Sequence, residues 1–139
     1  MKTRVLFVCY GNTCRSVIAE HVARQRFGHA LEPASAGFYP QTADDTIHAL
    51  DALRQFGIDV PHHQPRAIRF ADPNGFDLIV TMDHEVSGLF REAYSAFSTS
   101  RIEEWDVKDP WDNPAEYKDR IEIIFTKLNA LVARLELPQ

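Results

Sequence analysis

Two hydrophobic periods alternate along this chain. Residues 4–8 (Arg4-Val5-Leu6-Phe7-Val8) form a short apolar run of the kind found in covered parallel strands. Residues 32–36, 76–82 and 100–103 give three more strands, the second of these being the apolar run from Phe76 to Met82. Between them the spacing changes to that of helices. Residues 16–27 carry Ile18, Val22 and Phe27 inward with Gly28 as the stop, and residues 44–56 carry Ile47, Leu50, Leu53 and Phe56 inward with Gly57 at the cap position. Residues 84–94 form a third helix. A long last one runs from Pro114 or Ala115 to Leu135, with Ile121, Ile124, Phe125, Leu128, Leu131 and Leu135 on its core face. The alternation predicts an α/β fold, a three-layer sandwich whose four-stranded parallel sheet has helices on both faces and right-handed crossovers. His62-His63-Gln64-Pro65 and Asp72-Pro73-Asn74-Gly75 read as surface turns. With no repeat, linker or low-complexity tract, residues 1–139 read as a single domain.

The first strand leads into Cys9-Tyr10-Gly11-Asn12-Thr13-Cys14-Arg15-Ser16, and a helix follows at once. A loop that opens a helix presents unpaired N–H groups, and the helix dipole adds positive potential, so an oxyanion is favoured there. The same field favours the thiolate of Cys9, the form that acts as a nucleophile. Arg15 adds a planar fork able to hold two phosphate oxygens. The strand–loop–helix context makes this a phosphate-binding catalytic loop, whereas Cys9 and Cys14 outside it would read as small buried hydrophobes. In an open α/β sheet this position, beyond the carboxyl end of a strand, is where ligands bind.

A cysteine nucleophile also needs a group to protonate the leaving atom and later to deprotonate water. Asp109, in Val107-Lys108-Asp109-Pro110-Trp111-Asp112, stands between the fourth strand and the last helix, again at the carboxyl edge, and Pro110 stiffens the backbone beside it. Asp106 and Asp112 are the substitutes. Without the cysteine loop, the Asp-Pro pair would read as a turn before a helix cap.

Composition narrows the picture. The chain has 139 residues, 45% of them hydrophobic, enough for one core without disulfides. Its net charge of -5 argues against nucleic acid as a partner. The apolar run after Met1-Lys2-Thr3-Arg4 is too short for a signal peptide or a membrane span, and the two cysteines share one loop, so a cytoplasmic protein is expected. No metal or other cofactor is expected, because the histidines lack ligand spacing and Arg15 with backbone amides meets the phosphate charge.

These residues, with Ile18-Ala19-Glu20, Ser35-Ala36-Gly37, Phe76-Asp77, Met82-Asp83 and Asp109-Pro110, make nearly the whole chain resemble the low-molecular-weight protein tyrosine phosphatases. The resemblance implies hydrolysis of phosphotyrosine in a phosphorylated protein substrate through a phosphocysteine on Cys9. Arg15 would clamp the phosphate and Asp109 would act as acid, then base. It further implies that Asn12 holds the loop in a strained conformation through Ser35, that Ser16 donates to the Cys9 thiolate, and that Glu20 and His63 correspond to a structural carboxylate–imidazole pair. By composition alone, His63 reads as a solvated loop residue. Cys14 has two readings: in the family a second cysteine traps the oxidised nucleophile as a disulfide, and otherwise it is a small residue packed under the loop. A monomer or weak homodimer is expected.

Some positions depart from the family pattern. Val17 replaces a proline, which affects only the first helical turn. Trp111 follows Asp109-Pro110 where tyrosine is usual, and with Phe38 and Tyr39 it is a candidate wall for an aromatic substrate, although Phe38 and Tyr39 could equally be core. Thr13 stands where many tyrosine-directed members carry a bulky aliphatic, and protein arginine phosphatases of this fold carry threonine. Arginine phosphatase activity is therefore the alternative reading. Thiol-coupled arsenate reduction and a non-catalytic phosphoprotein-binding module are two more: a thioredoxin-coupled relay lacks any cysteine beyond Cys14, coupling to a small thiol stays open, and the binding module is opposed by the presence of Cys9, Arg15 and Asp109 together.

Overall fold

The computed structural model describes residues 1–111 and 113–136. Four strands, β1 (Thr3–Cys9), β2 (Leu31–Gly37), β3 (Leu78–Thr81) and β4 (Ile102–Glu104), pair in parallel in the order β2-β1-β3-β4. Four helices connect and cover them: α1 (Arg15–Phe27), α2 (Ile47–Gln55), α3 (His84–Ala93) and α4 (Pro114–Leu135). Strand alternation sorts β1 onto two cores. Val5, Phe7 and Cys9 join the cluster formed with α1, α2 and α4, while Leu6 and Val8 join the one formed with α3. The sandwich read from the hydrophobic pattern is thus the architecture observed.

The sheet order turns back between β1 and β3, so the chain leaves these two strands in opposite directions and opens a crevice at their carboxyl ends. Cys9 ends β1, Asp83 follows β3, and Asp109 lies beyond β4.

Several local expectations differ. The helix expected over residues 44–56 begins as a 3-10 turn, Ala43–Thr46, capped by a reciprocal Thr42–Asp45 pair, and becomes α-helical only from Ile47. Ile47 is consequently exposed, and Thr46, Ala49, Leu50 and Leu53 form the buried face. Leu135, expected in the core, is exposed at the end of α4, where neighbouring elements no longer cover the helix. A 3-10 turn at Thr99–Arg101 pushes the start of β4 to Ile102. The turns at residues 62–65 and 72–75 are not wholly on the surface: His63, Pro65 and Pro73 are buried.

Candidate active site

The loop after β1 reaches Arg15, the first residue of α1, with Cys14 as the N-cap residue. Cys14 makes no capping hydrogen bond through its side chain, so the first-turn N–H groups keep their capacity to bind an anion. Cys9 lies at the floor of a cleft of about 330 Å3, also lined by Tyr10, Thr13, Arg15, Asp109 and Trp111 among others. Gly37 allows the loop to sit on the end of β2: a Cβ there would lie 2.8 Å from both the Asn12 N and the Tyr10 carbonyl oxygen.

Asn12 organises the interior of the loop. Its φ of 54° is left-handed, a conformation Asn adopts more readily than most residues. Its buried amide uses every donor and acceptor it has. Nδ2 donates to Ser16 Oγ and to Ser35 Oγ, each at 2.9 Å, while Oδ1 accepts from the Arg66 N–H at 3.0 Å and faces His63 Nε2 at 3.3 Å. Because Ser16 Oγ already accepts from Asn12, its own hydrogen is available to Cys9 Sγ, 2.8 Å away. Ser35 likewise passes its hydrogen to Glu20 Oε1.

Arg15 is 5% exposed, and its Nη1 donates both to Asp83 Oδ2 at 2.7 Å and to the Val107 carbonyl at 2.9 Å. This leaves the Nε–Nη2 edge for two phosphate oxygens. Burial works against the guanidinium charge, but Cys9 and Asp83 outweigh it and hold Arg15 above its ordinary pKa. Asp83 is also the N-cap of α3, accepting from the Val86 N–H. Burial pushes its carboxyl up, yet that N–H and Arg15 bring the net result below the ordinary value. Asp109 reaches the cleft with one oxygen committed, since Oδ1 accepts from the Trp111 N–H at 2.8 Å and Oδ2 remains for substrate. Tyr117 on α4 steadies this turn by donating to the Trp111 carbonyl.

This geometry is matched by comparison with known proteins. The family model for low molecular weight phosphotyrosine protein phosphatases matches residues 4–138. The chain belongs to this family. Its relatives include the protein-arginine-phosphatase of Geobacillus stearothermophilus, 27% identical over 100% of both chains. Another is the probable low molecular weight protein-tyrosine-phosphatase EpsP of Ralstonia nicotianae, 28% identical over 94% of both chains. Among solved structures, a low molecular weight protein tyrosine phosphatase from T. tengcongensis superposes with a TM-score of 0.84 at 28% identity, covering 96% of this chain and 99% of that one. Arsenate reductases also stand among the curated relatives. The protein is a phosphatase of this low molecular weight, cysteine-dependent class.

Other candidate residues fall where the fold takes them. Tyr10, Gly11, Thr13 and Cys14 line the phosphatase cleft, and Trp111 stands at its rim, 77% exposed with φ 51°. Tyr39 packs at a tilt against Tyr10, with centroids 4.8 Å apart, but is not part of the lining. Phe38 packs against the α3-side core, not the cleft, because the residue after Gly37 still follows the strand's alternation. Asp106 is exposed away from the cleft, and Asp112 lies outside the described residues. Burial pushes the Cys14 thiol well above its ordinary pKa, reinforced by Cys9 and Asp109, so it stays protonated. His63 is 8% exposed, correcting its reading as a solvated residue, because it must meet Asn12 under the loop.

Gln41, Glu85 and Asp83 also line the cleft, and none was a candidate from sequence. Asp83 had a local signal, an aspartate just before a helical pattern. Gln41 and the Val107 carbonyl had none, since each arrives by tertiary approach. Among the described residues no helix is long and apolar enough to cross a membrane.

Proposed function

We propose that the protein hydrolyses phosphotyrosine in phosphorylated proteins. The observation that carries this reading is the cleft itself, with the Cys9 sulfur at its floor and the rings of Tyr10 and Trp111 on its lining, suited to a flat phenyl group. The phosphoryl group occupies the loop, held by backbone N–H groups and the free edge of Arg15. Cys9 Sγ attacks phosphorus, an S–P bond forms as the P–O bond to the phenol breaks, and Asp109 Oδ2 delivers the proton to the leaving oxygen. Asp109 then takes a proton from water, which attacks the phosphocysteine and releases phosphate and thiolate. The Ser16 hydrogen stabilises that thiolate as both attacker and leaving group.

A second substrate, phosphoarginine, is favoured by one feature of the rim. Thr13 Oγ1 donates to Gln41 Oε1 at 3.3 Å, and Glu85 and Asp109 bring carboxylates to the mouth, where a guanidinium leaving group would be paired. The full-length arginine phosphatase relative agrees with it. Purified protein assayed on matched phosphotyrosine and phosphoarginine peptides separates the two. The first reading expects the higher kcat/KM on phosphotyrosine, with Thr13→Ile sparing it; preference for phosphoarginine, lost in Thr13→Ile, would establish the second. Cys9→Ser should abolish turnover of both and of p-nitrophenyl phosphate.

The same reading takes residues 1–139 as a single cytoplasmic domain acting as a monomer or weak homodimer.

A further inference from the structure

A cluster unused by the phosphatase reaction lies beneath the loop. Among the described residues, Glu20, His21 and His63 form a group able to hold a metal ion, their ligand atoms all within 4.8 Å of one another. The hydrogen bonds fix which atoms are available. His63 Nε2–H donates to Asn12 Oδ1, whose other partner is the Arg66 N–H, so the lone pair of His63 is on Nδ1. That nitrogen faces His21 Nε2 at 3.1 Å, and His21 Nε2 lies 3.9 Å from Glu20 Oε2. Two ligands on one tetrahedral zinc, each about 2.0–2.1 Å from it, stand roughly 3.4 Å apart. The 3.1 and 3.9 Å spacings bracket that value, and the remaining pair lies within 4.8 Å.

We propose that Glu20, His21 and His63 form a binding site for a zinc-type divalent cation, with Glu20 Oε2, His21 Nε2 and His63 Nδ1 as ligands and water completing the coordination. Two imidazoles and one carboxylate suit a borderline cation and not a hard one such as magnesium. Both imidazoles are held below their ordinary pKa, chiefly by burial, and so are neutral when the cation arrives.

Binding has a defined competitor. Arg24 Nη1 donates to Glu20 Oε2 at 2.7 Å and faces His21 Nδ1 at 3.4 Å. In the metal-free arrangement, His21 Nε2–H points at His63. To ligate, His21 moves that proton to Nδ1, where the Arg24 N–H now sits, so Arg24 must swing out and no proton is released overall. Its side chain is 52% exposed, and swinging out also breaks the bond that its Nη2 donates to the Pro33 carbonyl at 2.8 Å. His62 and Arg66 are the other groups whose positive charge reaches His63. The cation lies two hydrogen bonds from the nucleophile's support. A metal on His63 Nδ1 makes Nε2–H a stronger donor to Asn12, and Glu20 Oε1 still receives Ser35, so zinc braces the loop.

The test removes the rival thiolates first. In a Cys9→Ser, Cys14→Ser chain, titration with Zn2+ followed by calorimetry should show one ion per chain and a rise in melting temperature. Co2+ should give the visible absorption of a four-coordinate nitrogen–oxygen site. Adding His21→Gln should weaken zinc binding at least tenfold, His63→Gln should do the same, and Arg24→Ala should tighten it severalfold. Unchanged affinity in both histidine variants would assign the ion to surface histidines and overturn the proposal, as would no binding at all. Turnover of p-nitrophenyl phosphate by the unsubstituted chain in EDTA is read separately: it reports on Cys9, Arg15 and Asp109 and needs no cation, so failure of zinc binding leaves it intact and failure of the phosphatase reading abolishes it.

Discussion

At the scale of single residues, the site works by using up hydrogen-bonding capacity so that one choice remains. Asn12 saturates its amide, and Ser16 is then left with a hydrogen only for sulfur. Asp109 follows the same logic, since Oδ1 holds the Trp111 turn while Oδ2 is free. This separates the acid's two duties experimentally. Asp109→Asn retains the acceptor for Trp111 but not the proton, and Asp109→Ala loses both. Both variants should cut kcat on phosphotyrosine by about 10²–10⁴-fold, and only Asp109→Ala should also lower the melting temperature. A fully active Asp109→Asn enzyme, measured in steady-state assays on phosphotyrosine peptide, would remove Asp109 from the reaction. Asp83 has a double task as well, capping α3 and orienting Arg15, which explains why a residue so near the cleft is not itself free to react.

At the scale of elements, the register of β2 against β1 determines the loop. Cys9 pairs with Gly37, and the segment beyond Gly37 braces the loop through Tyr39 N–H to the Tyr10 carbonyl and Gln41 N–H to the Gly11 carbonyl. A methyl group at Gly37 would strike the backbone of residues 10–12, which no rotamer change relieves. Gly37→Ala should therefore cost about 1–3 kcal/mol of stability and lower kcat/KM by more than tenfold, checked by urea unfolding alongside kinetics. An enzyme unaffected in both would show that the loop is not seated on β2. Here too the sequence was only partly legible. β1, β3 and α4 could be read because each carries a clear apolar run or period. The start of α2 could not, because the Thr42–Asp45 pair closes a tighter turn first, and this rotates Ile47 out of the core.

At the scale of the whole molecule, the cluster under the loop ties stability to pH. His63 is pushed down to about 4 from an ordinary 6.5, first by burial and then by its positive neighbours, although Glu20 pulls the other way. Between those values the unfolded chain takes up a proton that the folded one refuses, so folding is weakened as pH falls. Glu20 and Asp83 act with the same sign. Each is held below its ordinary value, by Ser35 and Arg24 or by Val86 N–H and Arg15 against the effect of burial, and each loses its contribution as pH drops through the folded pKa. The urea midpoint should accordingly be lower at pH 5 than at pH 7. An equal or higher midpoint at pH 5 would show that these groups do not titrate with folding. His63→Gln should flatten the part of the difference between about 6.5 and 4.

The sequence alone carried the alternating α/β order and the strand–loop–helix around Cys9 and Arg15, because hydrophobic period and a helix start are local properties written in consecutive residues. It also carried Asp109-Pro110 at the far edge, through resemblance and through its place after the fourth strand. Tertiary structure decided the rest: that His63 is buried under Asn12, that Phe38 turns to the core, and that Asp83, Gln41 and the Val107 carbonyl meet the loop. These contacts join residues tens of positions apart. Which side chains meet across such gaps depends on sheet order and register, set by the packing of all four strands and helices together, and no local stretch of chain contains that information.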